Sequence, residues 1–194
     1  MMKTNGLMIF MGACLLACAD VPLDVPASAE AATATRAAPS TAVEDVTVKD
    51  VRSMLQVRHS KDLPRRKAIR AVPGAEQALR DIVQNDDAAV MRTRAAKLLG
   101  HFDTSEAFLV TVLSDATQLE SVRAGAIRGL ATMGLEHRQV ARDAVFEQLA
   151  SASPRLGLEA VEVLSKVPAF QAELDERSAD TRLSPVVKSR LMAR

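Results

Sequence analysis

From position 47 onward, apolar residues recur with the spacing of amphipathic helices. The first run places its apolar residues on one helical face: Val48, Val51 and Leu55. Thr47, with Asp50 three positions later, resembles a capping box, so a helix is expected to begin at Thr47. A second helix is predicted from Pro64 onward, and Pro73 with Gly74 is expected to end it.

One phrase then recurs along the chain. It reads apolar residue, arginine, two variable residues, alanine, alanine or isoleucine, two variable residues and leucine. The clearest copies occupy 91–99, followed by Gly100, and 122–130, with Gly134 closing the helix. The copy at 156–164 lacks the arginine, and the copy at 64–72 opens on proline, has Arg65 as its repeat arginine and ends on valine. The starting points are 27, 31 and 34 residues apart.

A second apolar helix follows each of the first three copies. Its apolar residues are Leu79, Ile82 and Val83, then Leu109, Val112 and Leu113, then Val145, Phe146 and Leu149. Asp87, Ser153, and either Asp103 or Thr104 stand where helix N-caps are expected. A fixed-order repeat of two short helices is typical of a solenoid, in which each pair buries its apolar face against its neighbours.

The Val-Arg-x-x-Ala-Ile-x-x-Leu phrase at 122–130 resembles HEAT repeats. Its short period looks most like the HEAT-like subgroup first named for phycobilin lyases. The resemblance covers about 64–175 and is strongest at 88–134. It implies an all-α fold, a short right-handed α-solenoid of antiparallel helix pairs, over 47–194. An ordinary helical bundle with alanine-rich faces stays open, whereas a tetratricopeptide array expects bulky aromatic positions and the chain has no Trp or Tyr.

Two further features bear on the helices. Gly125 and Gly129 lie inside a predicted helix, where each costs about 1 kcal/mol relative to alanine. Their four-residue spacing puts both on one side, so we expect a close contact with another helix there. Ser184 and Pro185 begin a last helix, predicted as a terminal cap, with Val186, Val187 and Leu191 as its apolar residues.

The N-terminus has the pattern of a bacterial export signal. Lys3 is followed by twelve uncharged, mostly apolar residues from Gly6 to Ala17. That run is too short to span a bilayer, which needs about 20 residues. The segment Leu15-Leu16-Ala17-Cys18 resembles the lipobox of bacterial lipoproteins. The resemblance implies that residues 1–17 are a signal peptide and that the Cys18 thiol carries lipid.

Other interpretations of the leader stay open. They are an ordinary signal peptide, an uncleaved anchor, and cleavage before Cys14. In lipoproteins of Gram-negative bacteria, an aspartate directly after the cysteine favours the inner membrane. Ala19 stands there, with Asp20 one later, so the resemblance favours the outer membrane over the inner one and a domain that faces the periplasm.

Residues 18–46 are predicted as the lipidated N-terminus and a flexible linker. The segment is rich in Ala, Pro, Thr, Ser and Val and shows no sustained helical or strand pattern. A flexible chain of this length reaches about 30 Å. The linker is therefore expected to let the helical domain stand off the membrane.

Charge and cysteine content exclude several classes of function. The sequence from residue 51 to the end carries 22 bases and 18 acids, a net of 22 − 18 = +4, too mild for a nucleic-acid-binding protein. Cys14 and Cys18 are the two cysteines, so disulfides, cysteine zinc sites and thiol catalysis are excluded for the helical part. The most basic stretch begins at Arg58, and within it Arg66, Lys67 and Arg70 are the candidate partner-binding residues.

The sequence shows no catalytic constellation. The three histidines, His59, His101 and His137, lack the i, i+4 partner of a zinc helix, although His101 with Asp103 is a weak candidate for a proton or metal site. We therefore predict no enzyme, no cofactor, no metal site and no small-molecule substrate. The favoured hypothesis is a membrane-tethered lipoprotein whose repeats bind an unidentified protein. The alternatives are a lyase-type enzyme or enzyme subunit, and a passive envelope spacer.

Overall fold

The computed structural model describes residues 41–194, with the backbone alone for 41–46 and Ser60. The predicted signal peptide, Cys18 and most of the predicted linker lie outside these residues. Within them the fold is all-α, with ten α-helices and no strand, which confirms the predicted class. The helices are α1 (Thr41–Leu55), α2 (Arg66–Arg70), α3 (Ala75–Asn85), α4 (Ala89–Leu99), α5 (Glu106–Ser114), α6 (Glu120–Met133), α7 (Gln139–Glu147), α8 (Pro154–Leu164), α9 (Gln171–Ser178) and α10 (Pro185–Met192). None of these ten helices is long and apolar enough to cross a membrane.

Helix α1 begins six positions earlier than the apolar pattern indicates. Thr47 lies inside α1, so the predicted capping box at Thr47 is wrong, and positions 41–46 are helical although they were assigned to the linker. Neither proline nor glycine occurs between Thr41 and Leu55, so nothing in the sequence stops the helix.

The predicted N-cap at Ser153 is confirmed, and Ser184, where the last helix was expected to begin, is the N-cap of α10. The Ser153 hydroxyl accepts the N–H of Leu156 at 3.3 Å, and the Ser184 hydroxyl caps α10 in the same way. The predicted N-cap at Asp87 is wrong, because the N-cap of α4 is Ala88, whose side chain cannot form a capping hydrogen bond. The Ala88 N–H instead donates to Asp86 Oδ1 at 2.8 Å.

The predicted cap of α5 is also wrong. Asp103 and Thr104 lie in a 3-10 turn, Asp103–Ser105, and the residue directly before α5 is Ser105. The polar groups of the turn face other partners. The Thr104 hydroxyl donates to the Glu76 carboxylate at 2.7 Å, and Asp103 pairs with arginines.

The repeated phrase supplies the core. Its alanine is fully buried in three copies, as Ala95, Ala126 and Ala160. The predicted second-helix residues are buried as well, from Leu79 to Leu149. The copy at 64–72 departs from this pattern, because α2 has only five residues, Ala68 is exposed and Ile69 alone is buried within α2. Helix α2 ends at Arg70, three residues before Pro73, and Gly74, with a φ of 72°, is the N-cap of α3.

The first helices of the copies lie side by side. Helix α4 contacts α6, α6 contacts α8, and α8 contacts α10, while α3 packs on α4 and α5 on α6. The contact between α4 and α6 is very close. A Cβ on Gly125 would lie 2.5 Å from the Thr93 oxygen, and one on Gly129 would lie 2.6 Å from the Ala96 oxygen. The predicted close contact at the two glycines is therefore confirmed.

Candidate functional site

The repeated arginine makes the same two hydrogen bonds in successive copies. Arg92 Nε donates to a carbonyl oxygen in the last turn of α3 at 2.7 Å, and its Nη2 donates to Gln118 Oε1 at 2.5 Å. Arg123 Nε donates to a carbonyl oxygen in the last turn of α5 at 2.8 Å, and its Nη2 donates to Gln148 Oε1 at 3.2 Å. Arg92 thus connects the end of α3 to the segment between α5 and α6. Arg123 likewise connects the end of α5 to the turn that follows α7. We call this pair of bonds the arginine clamp.

The first residue in a comparable position is Arg52, not Arg65. Arg65 lies exposed at the N-cap of α2, so its assignment as a repeat arginine is wrong. Arg52 Nε, in α1, donates to Asp86 Oδ2 at 2.6 Å, in the turn between α3 and α4. Val51 and Leu55 are fully buried beside it. The sequence signal was present, because Val51-Arg52 is the same apolar-arginine pair that opens the clearer copies.

Loss of an arginine clamp is expected to weaken the fold measurably. Arg123→Ala leaves the Leu113 carbonyl and the buried Gln148 amide without their donor, so the free energy of unfolding should fall by about 1–2 kcal/mol. Urea unfolding of the purified chain measures the change. The control Arg155→Ala removes an exposed arginine from α8 and should change stability by less than about 0.5 kcal/mol. Equal losses in the two variants would contradict the clamp.

Three arginines converge on the carboxylate of Asp103. Arg66 and Arg70, on α2, lie 3.4 and 3.1 Å from Asp103 Oδ2, and Arg138 lies 2.8 Å from Oδ1. Arg138 Nη1 also pairs with Glu106 Oε2 at 2.6 Å. We call these five residues the basic edge. It holds three guanidinium groups against two carboxylates and is open to solvent around Asp103.

Other cationic and aromatic groups border the basic edge. The Arg70 guanidinium lies 6.0 Å from the centre of the Phe102 ring. Burial, and then the charges of Arg66, Arg70 and Lys97, hold the pKa of His101 below its usual value. His101 is therefore mostly uncharged at neutral pH, and the edge owes its positive charge to its arginines.

The structure thus joins two of the three predicted partner-binding residues and leaves the third apart. Arg66 and Arg70 share Asp103, whereas Lys67 is an exposed neighbour of theirs on α2. Asp103, predicted as a weak metal or proton partner of His101, is instead paired with arginines. Across residues 41–194, no cluster of three or more His, Cys, Asp or Glu side chains is placed to hold a metal ion.

Sequence reasoning missed Arg138. It follows the 3-10 turn Leu135–His137, where no periodic pattern exists, and it lies 35 positions from Asp103. Beside it is a hollow of about 510 Å³, lined by Glu106, Met133, His137, Arg138, Gln139 and Val140. Val140 is 65% exposed, whereas Met133 is half-buried against the core. The hollow therefore adjoins the basic edge through two shared residues.

A larger groove of about 660 Å³ crosses the row formed by α4, α6 and α8. Lys97, Arg128 and Glu162 line it from the same place in three copies of the phrase, the sixth residue after the opening one. Arg128 donates to both oxygens of Glu159 at 2.5 and 2.6 Å. A hydrogen bond from Lys166 lowers the pKa of Glu162. Two carboxylates of the groove, Glu159 and Glu162, are thus paired with bases that also line it, and the Arg128–Glu159 pair forms a strap between α6 and α8.

Comparison of the chain with protein-family models, with curated proteins and with solved structures finds no match. The function is therefore argued from the repeated contacts, the basic edge and the N-terminal pattern. Lipidation at Cys18 stays a prediction, because that residue lies outside the range 41–194.

Proposed function

We propose that the chain is a lipid-anchored protein of the bacterial cell envelope whose HEAT-like α-solenoid binds another protein. The observation that carries the proposal is the arginine clamp, which recurs with Arg92 and Arg123. A bond that recurs in the same place of successive copies is what a repeat architecture requires, because each repeat holds only its neighbours.

The geometry of the helix row supports a scaffold. Close backbone contact at Gly125 and Gly129 leaves no room for α4 and α6 to slide past each other. A rigid row of helices presents a continuous surface without any special residue, and repeat proteins bind their partners along such surfaces. The basic edge and the hollow next to it lie at the connections between helices, where side chains are free to contact a partner.

The anchor follows from the lipobox resemblance at Cys18. Two or more acyl chains hold a protein durably, at about 0.8 kcal/mol per buried CH₂ group, whereas one chain gives only marginal binding. The predicted linker then sets how far the helical domain reaches from the membrane. A partner within that reach meets the domain at a high effective concentration.

Cys18→Ser is expected to abolish stable membrane attachment while the helical domain stays folded. Without the thiol the chain accumulates as an uncleaved precursor or a soluble product. Membrane fractionation and mass spectrometry of the N-terminus measure this, and the far-ultraviolet circular dichroism of the variant should match the parent. A cleaved variant that stays in the membrane fraction would refute the anchor.

The binding role is tested by chemical crosslinking in intact cells, followed by purification from the envelope. The control carries residues 1–40, which precede α1, fused to an unrelated helical protein, so that both chains share the predicted leader, anchor and linker. We expect the full chain to enrich a defined protein that the control does not. Enrichment of nothing above the control would overturn the scaffold and favour a passive spacer.

A further inference from the structure

The charges of the basic edge do not balance. Asp103 sits between Arg66, Arg70 and Arg138, and Glu106 contacts only Arg138 among them. Arg66 and Arg70 share one carboxylate oxygen at 3.4 and 3.1 Å, which leaves most of their N–H donors facing solvent. The edge therefore has donors to spare for further carboxylates.

The hollow next to Arg138 adds an apolar contact. Val140 is 65% exposed at its wall, and Met133 lies half-buried at the same hollow. The hollow has a volume of about 510 Å³. Covering the exposed valine at its wall with an apolar side chain of a partner removes apolar surface from water and so favours binding. Arg138 belongs both to the basic edge and to this hollow, whose mixed lining includes the apolar side chains of Met133 and Val140.

We propose that the basic edge and the hollow together form the docking surface for an acidic segment of the partner protein. Carboxylates of that segment contact Arg66 and Arg70, and one of its apolar side chains enters the hollow beside Val140. The inference rests on the proposed function in one respect, that the partner is a protein. Charge complementarity selects an acidic segment, since the edge carries an excess of arginine over carboxylate.

A protein segment fits this surface better than anionic lipid does. Asp103 and Glu106 lie among the arginines and interrupt the positive charge, so the edge offers a few separate donors and not the continuous basic face that attracts a layer of anionic headgroups. The apolar component is a hollow, which accepts a protruding side chain, and not a row of projecting apolar residues that enters a bilayer.

Asp103 acts in this arrangement as an internal competitor. Its carboxylate occupies the position that a carboxylate of the partner takes, and it holds the two α2 arginines near each other in the free protein. Replacing it with asparagine keeps the shape and removes the negative charge. Asp103→Asn is therefore expected to tighten binding, whereas loss of the arginines weakens it.

The test uses the purified full chain in detergent and a fluorescent synthetic peptide with glutamates on both sides of one leucine. Fluorescence anisotropy measures the dissociation constant. The double variant Arg66→Gln/Arg70→Gln is expected to weaken binding by about tenfold, and Asp103→Asn to tighten it by several-fold. Val140→Ser in the protein, or Leu→Ser in the peptide, is expected to weaken binding by several-fold.

The control is Arg155→Gln/Arg190→Gln, which removes two exposed arginines from α8 and α10 and leaves the basic edge intact. It should bind the peptide like the parent chain. The proposal is overturned if the two double variants weaken binding equally, if Asp103→Asn fails to tighten it, or if the leucine makes no difference. Stronger binding to vesicles of anionic lipid than to the peptide, lost in Arg66→Gln/Arg70→Gln, would assign the surface to the membrane. These results do not depend on the crosslinking experiment, so each proposal fails by its own measurement.

Discussion

Gly100→Ala is expected to cost about 3 kcal/mol of folding stability, the largest loss predicted for this chain. A Cβ at position 100 would lie 2.1 Å from the carbonyl oxygen of Gly129 and 2.7 Å from both its carbonyl carbon and its Cα. All three atoms belong to the backbone of α6, so no side chain can move aside. To make room for the Cβ, α4 must move away from α6 where the two backbones lie closest, and the neighbouring side chains of both helices then lose their packing.

The free energy of unfolding in urea measures this loss. The control is Gly134→Ala, where the new Cβ would meet nothing within 4 Å and the cost comes from the backbone, with φ at 87°. That strain costs about 1–2 kcal/mol. A Gly100→Ala variant as stable as Gly134→Ala would show that α4 and α6 can separate without penalty, and the close contact would lose its importance for the fold.

The repeat core was predictable because helical periodicity is a local property of the sequence. Leu99, Leu130 and Leu164 stand in the same place of three copies, and all three are fully buried. The helical spacing puts such residues on one face of each helix, and that face is buried because removing apolar side chains from water stabilises the fold. Gly125 and Gly129 were informative for the same reason, since a glycine inside a helix costs free energy that only close packing offsets.

The candidate site was only partly predictable, because its contacts join residues far apart in sequence. Arg66 and Arg70 were identified from a local excess of positive charge, whereas Arg138 is one basic residue in a connection without pattern. Its place next to Asp103 depends on how two connections between helices lie in space. The assignment of Arg65 is wrong because the phrase matches by letter, whereas α2 begins only at Arg66 and leaves Arg65 exposed at its N-cap.

The bond from Arg128 to Glu159 had a signal in the sequence that went unused. The two residues lie in the copies beginning at 122 and 156 and are 31 positions apart, three fewer than the 34 positions between the starts of those copies. In a stack of repeats, residues one period apart face each other on neighbouring helices. An offset of three residues is close to one helical turn, so opposite charges at this spacing favour an ion pair between the two helices, and Arg128 with Glu159 is one.

Arg128→Ala is expected to destabilise the chain by about 2 kcal/mol at neutral pH. Glu159 is only 9% exposed, and both of its carboxylate oxygens accept hydrogen bonds from Arg128, at 2.5 and 2.6 Å. Removing the arginine leaves a buried carboxylate without a donor, which costs about 1–3 kcal/mol and exceeds the loss expected at an exposed ion pair. The control Lys166→Ala removes a lysine from the exposed pair with Glu162 and should cost less than about 0.5 kcal/mol.

A double-mutant cycle separates the pair from the rest of the packing. Arg128→Ala with Glu159→Ala removes both charges, so the double variant should be more stable than the sum of the two single losses predicts, by about 1 kcal/mol or more. The physical reason is that no unpaired carboxylate remains beneath α6 once Glu159 is gone. Losses that simply add would show that Arg128 and Glu159 act independently, and the strap between α6 and α8 would then reduce to ordinary packing.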